Sequence, residues 1–345
     1  MSEFESSASD GSDLPPPSIP AGLNIAVRDF TNEEAAREFG NAVYAVIQAL
    51  SRMMDLSRLD GVTIGIDYDA ALASVDRGMP GLRPLSRSDT TEMQGVAMSP
   101  AVIRDGEART HLVFNAEQLV PLYWKGDEVT DDDRAFAIGI IAHECAHVQV
   151  TADKERAIPD CRLGTPIEGY EHAIMFQIAE ICWDEYAVCR MSAPFAQGQN
   201  ESHALTVAAC AEVARNRANE AIKSYRLHGD LDRLVAEAGA PLCAPIKAVA
   251  YLLGGIDGVE AGWDDHPEAR VAIEAAGYGD LVDDLHAELR HLWDTYDSWL
   301  PTLDTFAGLE AIARSTFESN GIHFQTNDDG ACSIDVPFTH ETWPN

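Results

Sequence analysis

A short run near the middle of the chain, His143-Glu144-Cys145-Ala146-His147, has residue types and a spacing that suit metal chemistry. On a helix, residues four apart project from one face, so the imidazoles of His143 and His147 can reach one tetrahedral Zn²⁺ ion. Glu144 projects beside them, where its carboxylate can take a proton from a metal-activated water molecule. The run therefore predicts a zinc site with His143 and His147 as ligands and Glu144 as the catalytic base.

A competing interpretation makes the two histidines ordinary core residues that are satisfied by hydrogen bonds. The residues on both sides of the run, from Ile140 to Ala142 and at Val148, are uncharged. Without a metal, an apolar helix would have to bury two imidazoles and an unpaired carboxylate, which is costly in the absence of a cation. The metal interpretation is therefore favoured.

The H-E-x-x-H run, inside a strong helix that follows a predicted sheet, resembles the zincin superfamily of zinc metallopeptidases over roughly residues 60–195. The resemblance implies that the motif helix packs beside a sheet whose edge strand holds an extended peptide. After His147 the chain continues VQVTADKERA, without the H-x-x-G-x-x-H extension of the metzincins. The resemblance therefore implies a gluzincin-like site, in which a downstream glutamate is the third ligand.

Two glutamates of the next helix compete for that role, Glu180 and Glu185. Glu185 lies among apolar residues at the neighbouring turns, where a lone carboxylate is costly unless it binds a metal or meets a cation. The stretch Trp183-Asp184-Glu185-Tyr186 also resembles the W-x-E-aromatic sequence of several zincin-like bacterial families. We therefore expect Glu185 to be the third ligand.

Glu180 is the alternative. With Asp184 four residues on, it resembles the E-x-x-x-D of thermolysin-like enzymes, although Gln177, Glu180 and Asp184 form a polar face that solvent can satisfy. A third interpretation has no metal and pairs Glu185 with Arg190 or another base.

A peptidase site also needs a side chain that hydrogen-bonds the oxyanion of the transition state. Tyr170, His172, Tyr186 and His203 are candidates, and the sequence does not choose among them. Cys145 lies inside the motif but faces away from both histidines, so it is predicted to be a small core residue.

Two helices must position these groups. Thr130 can cap a helix that starts near Asp131, and the acidic residues that follow it complement the helix dipole. This helix carries the motif. A second helix, spanning about His172–Ala193, carries both candidate glutamates.

The preceding segment predicts a small antiparallel or mixed sheet between residues 60 and 120. Within it, Asp105-Gly106 separates two apolar runs and indicates a hairpin turn. Earlier still, Thr31 and Glu34 fit a capping box that opens a long amphipathic helix.

The predicted fold class is α+β, with a zincin-like small sheet and motif helix followed by a mainly helical C-terminal part. Residues 1–21 are rich in Ser, Asp and Pro and predict a disordered tail. Residues 22–195 form the zincin-like catalytic domain, and residues 196–345 a helical region whose packing on that domain the sequence leaves open. A hairpin is expected around Asp329-Gly330 near the end.

Charge and cysteine usage limit the partners. The chain has 24 Lys+Arg and 57 Asp+Glu, a formal net charge of −33, which repels nucleic acid and anionic lipid. The seven cysteines include no CxxC pair, which indicates free thiols. Free thiols are typical of a protein in a reducing compartment. The first 20 residues lack the features of a secretory signal, and no uncharged apolar run reaches the roughly 18–20 residues of a membrane helix. We expect a cytoplasmic protein that binds neither nucleic acid nor membrane.

The sequence therefore predicts a zinc-dependent metallopeptidase, a hydrolase with one catalytic Zn²⁺ held by His143, His147 and Glu185. Its substrate would be a peptide or protein, and more readily a basic one than an acidic one. Two other functions stay open. One is a zinc-stabilised regulatory or binding protein that keeps a metallopeptidase scaffold without turnover, and the other is an acidic, mainly helical interaction module.

Overall fold

A computed structural model describes residues 15–126, 128–196, 198–327 and 329–344. Within these ranges the chain is α+β, a small sheet followed by a mainly helical C-terminal part, which confirms the predicted fold class. Of the predicted tail, residues 1–14 lie outside the described residues. Further along that segment, the Ser18 hydroxyl lies 2.8 Å from the carbonyl oxygens of Ser51 and Met54, which ties this segment to the body of the protein.

The sheet has five strands of mixed direction: β1 (Asn24–Arg28), β2 (Leu59–Gly65), β3 (Ala97–Met98), β4 (Ala101–Arg104) and β5 (Glu107–Asn115). Strands β1, β2 and β5 are parallel neighbours in that order, whereas β3 and β4 pair antiparallel with β5. The predicted turn at Asp105-Gly106 joins β4 to β5, with φ angles of 51° and 81°. Such positive angles are those of a type I′ hairpin, so the predicted hairpin is confirmed.

Four helices belong to this part of the chain: α1 (Glu33–Leu50), α2 (Tyr68–Ala73), α3 (Ala116–Tyr123) and α4 (Asp131–Ala157). The capping box predicted at Thr31 is wrong by one residue. Asn32 is the cap of α1, because its side chain accepts hydrogen bonds from the backbone N–H groups of Glu34 and Ala35 at 2.9 and 3.1 Å.

Helix α4 carries the H-E-x-x-H run and starts where the sequence predicts. The Thr130 hydroxyl accepts from the backbone N–H of Asp133 at 3.1 Å, and the Asp133 carboxylate accepts from the backbone N–H of Thr130 at 2.8 Å. This reciprocal capping box, with acids at three first-turn positions, stabilises the N-terminus of a long buried helix.

The C-terminal part contributes α5 (Tyr170–Ser192), α6 (Gln199–His228), α7 (Leu231–Gly258), α8 (Pro267–Ala275), α9 (Gly279–Asp294) and α10 (Ala307–Glu318). The predicted terminal hairpin is formed by β6 (His323–Thr326) and β7 (Cys332–Asp335), which pair antiparallel. One continuous hydrophobic core includes Val62 of the sheet, Ile141 of α4, Tyr186 of α5 and Leu253 of α7. The helical region therefore packs on the sheet-containing part.

Helices α5 and α7 approach each other closely at two glycines. A Cβ added at Gly254 would lie 2.3 Å from the carbonyl oxygen of Tyr186, and one added at Gly258 would lie 2.5 Å from that of Arg190. Since only glycine permits this approach, the two positions fix how α7 lies along α5.

Helices α4 and α7 are long and apolar enough, by length and composition, to cross a membrane. In their most apolar windows 61% and 67% of the residues are buried inside the protein. Most of the apolar residues of these two helices therefore pack in the hydrophobic core.

Candidate metal centre

The two histidines of α4 lie side by side at the bottom of a cleft. Their ring centroids are 5.0 Å apart and the ring planes cross at 79°. The two rings are neighbours because the residues lie one helical turn apart on the same face of α4. Their side chains are only 14% and 17% exposed. Both Nε2 atoms face the same neighbour on α5, which is Glu185.

Glu185 completes a group of three donor atoms. Its Oε2 lies 3.5 Å from His143 Nε2 and 3.7 Å from His147 Nε2. One ligand atom from each of the three residues lies within 4.8 Å of the others, close enough to hold a metal ion. The structure thus brings together the three residues predicted as ligands.

The chemistry of this group fits a catalytic type of metal site. Two imidazole nitrogens and one carboxylate oxygen are a common three-ligand set for Zn²⁺, which leaves a fourth position open. Glu185 Oε2 is buried and has no hydrogen-bond partner among the described residues. Its hydrogen-bonding capacity is therefore unfilled within the described chain, which leaves this oxygen able to bind an added cation.

The two imidazoles differ in their preferred protonation. Burial lowers the pKa of His147 to about 3, which keeps the neutral form that binds metals. Burial also lowers the pKa of His143, but Cys189 and Glu185 more than offset it, so that the pKa is raised overall. A metal ion bound at this nitrogen would have to displace a proton from His143.

The two carboxylates differ as well. Burial raises the pKa of Glu144, as suits a group that accepts a proton. Burial acts in the same direction on Glu185, but the neighbouring His143 and Lys247 outweigh it and hold the pKa of Glu185 well below its ordinary value. Glu185 is thus the permanently charged carboxylate of the pair.

Glu144 is oriented by the sheet. The Ser99 hydroxyl, between β3 and β4, donates to Glu144 Oε2 at 2.6 Å. It also lies 3.2 Å from the backbone carbonyl oxygen of Glu144. The edge of the sheet therefore holds the carboxylate at the mouth of the site.

Glu180, the alternative ligand, lies in a different group. Its Oε1 accepts a hydrogen bond from Lys154 Nζ at 2.8 Å, and both oxygens of Asp184 accept from the same ammonium at 2.6 and 2.8 Å. Lys154 is 3% exposed and comes from α4, about two turns after the motif. A buried lysine, and not solvent, satisfies the polar face that Glu180 and Asp184 share.

Arg190 does not pair with Glu185. Its Nη1 donates to the Tyr186 hydroxyl at 2.6 Å and lies 3.8 Å from Asp257 Oδ2. The base that pairs with Glu185 is instead Lys247, whose Nζ lies 3.6 Å from Glu185 Oε1, so the interpretation that pairs Glu185 with another base matches this contact.

Of the four candidate oxyanion donors, His203 lines the cleft of the metal centre. Its Nδ1 is buried without a hydrogen-bond partner among the described residues. The other three face partners elsewhere: Tyr186 contacts Asp257, Tyr170 contacts Asp232, and His172 contacts Glu310.

Three residues at the site were not predicted from the sequence. Tyr251 stacks on His143 with ring centroids 5.7 Å apart and planes within 5° of parallel. Lys247, one turn earlier on α7, has its Nζ 3.6 Å from Glu185 Oε1. Cys189 Sγ lies 3.7 Å from His143 Nδ1, on the side of the ring away from Glu185. The helical region therefore completes the site.

The cleft around these groups encloses about 810 Å³. Its walls come from the edge segment before β4, from α4, α5, α6 and α7, and from the loop between α4 and α5. A space of this size lies within the range of pockets that bind small molecules.

Comparison with protein-family models, with curated proteins and with solved structures gives no match for this chain.

Proposed function

We propose that this chain is a zinc-dependent metallopeptidase with one catalytic Zn²⁺. The observation that carries the proposal is the convergence of His143 Nε2, His147 Nε2 and Glu185 Oε2 beside the carboxylate of Glu144. Glu185 Oε2 has no hydrogen-bond partner among the described residues. The zincin resemblance of the H-E-x-x-H run supports the same assignment. A Zn²⁺ ion in such a site polarises a carbonyl oxygen and makes water nucleophilic at neutral pH.

Glu144 is the general base of the proposed reaction. Its raised pKa favours acceptance of a proton from the attacking water and later delivery of that proton to the leaving amine. Because Oε2 accepts from Ser99, we assign the proton to Oε1. Ser99 keeps the carboxylate from rotating between these two tasks.

His203 and Tyr251 are the proposed donors to the developing oxyanion. Burial lowers the pKa of His203 to about 4, so its imidazole is neutral and carries one N–H. Burial, with Glu185 nearby, raises the pKa of Tyr251 well above its ordinary value, so its hydroxyl stays protonated. Each side chain can therefore donate one hydrogen bond across the cleft.

The proposed substrate is a peptide or protein, with basic stretches preferred. Five carboxylates line the cleft beyond the metal centre, against three lysine or arginine side chains. They are Glu92, Glu155, Asp160, Glu180 and Asp184, with Lys154, Arg162 and Lys247. The net charge of −33 disfavours nucleic acid and anionic membranes, and the seven free cysteines favour the cytoplasm. A peptide-library profile that prefers acidic sequences would contradict the substrate preference.

The function is tested with two site variants and a control. Glu144→Gln is expected to retain stoichiometric zinc by elemental analysis and to lose at least about 100-fold in peptide hydrolysis. His143→Ala is expected to lose the metal. Asp132→Asn changes an exposed acid of the same helix and should behave as the unaltered protein, with chelator abolishing cleavage in both.

The remaining outcomes separate the alternatives. Full activity of Glu144→Gln would contradict the mechanism. If the unaltered protein and Glu144→Gln both bind zinc and neither cleaves peptides, the result would favour a zinc-stabilised binding protein. Absence of stoichiometric metal after zinc-supplemented expression would favour an acidic interaction module.

A further inference from the structure

The two oxygens of Glu185 have different surroundings. Oε1 lies 3.6 Å from the ammonium of Lys247, whereas Oε2 faces the two imidazoles and has no hydrogen-bond partner in the described part of the chain. A carboxylate that rotates freely can offer a metal one oxygen or both. Here Oε1 contacts the ammonium of Lys247, and Oε2 faces the two histidines.

Lys247 is unusual on its own helix. It is the only charged residue from 241 to 256, a stretch that is otherwise apolar except for Tyr251. Its side chain lines the cleft and is only 28% exposed, so its ammonium has lost part of its hydration. An isolated lysine inside a core helix is expected to have a specific partner.

The packing of α7 explains why that partner is Glu185. Gly254 and Gly258 lie seven and eleven residues after Lys247, which places all three on one face of α7. At these glycines α7 contacts the backbone of α5 at Tyr186 and Arg190. Residue numbers rise together along both helices at these contacts, so the position of Lys247, two turns before Gly254, lies beside the part of α5 that precedes Glu185. The long side chain of Lys247 then reaches Glu185, with its Nζ 3.6 Å from Oε1.

We propose that Lys247 is the positioning residue of the third metal ligand. By holding Glu185 Oε1, it presents Oε2 alone to the metal, so that the carboxylate binds through one oxygen and the fourth position stays open. This inference rests on the metal centre of the proposed function and assigns part of that centre to the C-terminal helical region.

The sign of one measurement separates positioning from a simple charge effect. A lysine close to a divalent cation repels it, so if Lys247 acts only by its charge, its removal strengthens metal binding. If Lys247 orients Glu185, its removal weakens metal binding, because partners of metal ligands typically contribute about 10- to 100-fold in affinity.

The experiment measures the Zn²⁺ affinity of the full chain by competition with a chromophoric chelator. Lys247→Met is expected to bind zinc about 10- to 100-fold more weakly, and Lys247→Arg within about threefold of the unaltered protein. Lys223→Met is the matched control, because Lys223 pairs with Glu220 on α6. If circular dichroism shows that Lys247→Met is unfolded, Lys247→Gln takes its place, with the same expected direction.

Cobalt substitution supplies a second readout. The unaltered protein loaded with Co²⁺ should show intense visible bands of a four-coordinate ion, and Lys247→Met weaker bands, because a released carboxylate binds through both oxygens. Equal or tighter zinc binding by Lys247→Met, or an unchanged cobalt spectrum, would overturn the proposal.

These outcomes are independent of peptide cleavage. Weaker zinc binding by Lys247→Met in a protein that cleaves nothing would support the positioning role and count against the peptidase. If the unaltered protein cleaves peptides and Lys247→Met binds zinc as tightly as the unaltered protein does, the result would support the peptidase and count against the positioning role of Lys247. Failure of the unaltered protein to bind zinc would overturn both.

Discussion

Two buried carboxylates at the contact of α5 and α7 are satisfied in different ways. Asp257, whose side chain is 2% exposed, accepts from the Tyr186 hydroxyl at 2.6 Å and from Arg290 Nη2 at 2.5 Å. His286 Nε2 lies 3.2 Å from it as well. Glu185, 12% exposed, has Lys247 at 3.6 Å and two imidazoles at 3.5 and 3.7 Å.

The difference separates an acid whose hydrogen-bond partners the chain supplies from the proposed metal ligand. In a medium of low dielectric constant, a carboxylate stays charged only if donors or cations surround it. For Asp257 the chain itself supplies them, whereas for Glu185 it leaves Oε2 without a hydrogen bond among the described residues. An incomplete set of partners around a charged, buried group therefore points to a ligand from outside the chain.

The strongest test of this contrast removes the charge of Asp257. Asp257→Asn leaves Arg290, Arg190 and Tyr186 with a weaker acceptor, so the free energy of unfolding should fall by about 3 kcal/mol. Zinc affinity should stay within a few fold. Urea denaturation measures the loss, and Asp284→Asn, at an exposed position of α9, is the control, with an expected change of at most about 0.5 kcal/mol.

If Asp257→Asn were as stable as the control, the network around Asp257 would contribute nothing and the contrast would fail.

The converse change is made at Glu185. Glu185→Gln should lower zinc affinity by at least about 100-fold, because the third ligand loses its charge. The metal-free protein should lose less stability than Asp257→Asn does, because Glu185 has ion-pair contacts with His143 and Lys247 but no hydrogen bond at Oε2 among the described residues. Chelator competition gives the affinity and urea denaturation in chelator gives the stability.

Glu180→Gln is the matched control for Glu185→Gln, because Glu180 pairs with Lys154 away from the donor atoms. It should keep zinc affinity within a few fold. A metal-free Glu185→Gln protein as unstable as Asp257→Asn would show that the chain already satisfies Glu185 by itself.

Local signals in the sequence predicted much of the fold around the site. Thr130 followed by acids predicted the start of α4, and Asp105-Gly106 predicted the turn between β4 and β5, because both features depend on neighbouring residues alone. The preference for Glu185 over Glu180 rested on the cost of a carboxylate among apolar neighbours. That reasoning could not include Lys154, which satisfies Glu180 from another helix.

Residues that reach the site from α7 could not be predicted in this way. Lys247 and Tyr251 come into place only because Gly254 and Gly258 fix the contact of α7 with α5, and a long-range contact leaves no local periodicity. A signal did exist, since Lys247 and Tyr251 are lone polar residues one turn apart on an apolar helix. Tyr186, one of the four candidate oxyanion donors, faces Asp257 instead.

The smallest expected effect is the pH dependence of the Asp257 network. Burial alone would raise the pKa of Asp257, but His286, Arg290 and Tyr186 outweigh it and lower the pKa below the ordinary 3.8. A lowered folded-state pKa means that the charged carboxylate contributes its full stability above about pH 4 and loses it as the pH falls further. The difference in unfolding free energy between the unaltered protein and Asp257→Asn, measured in urea from pH 6 to pH 3, should therefore be constant above about pH 4 and shrink below it. A difference that stays the same down to pH 3 would mean that hydrogen-bond geometry, and not the charge of Asp257, stabilises this side of α5.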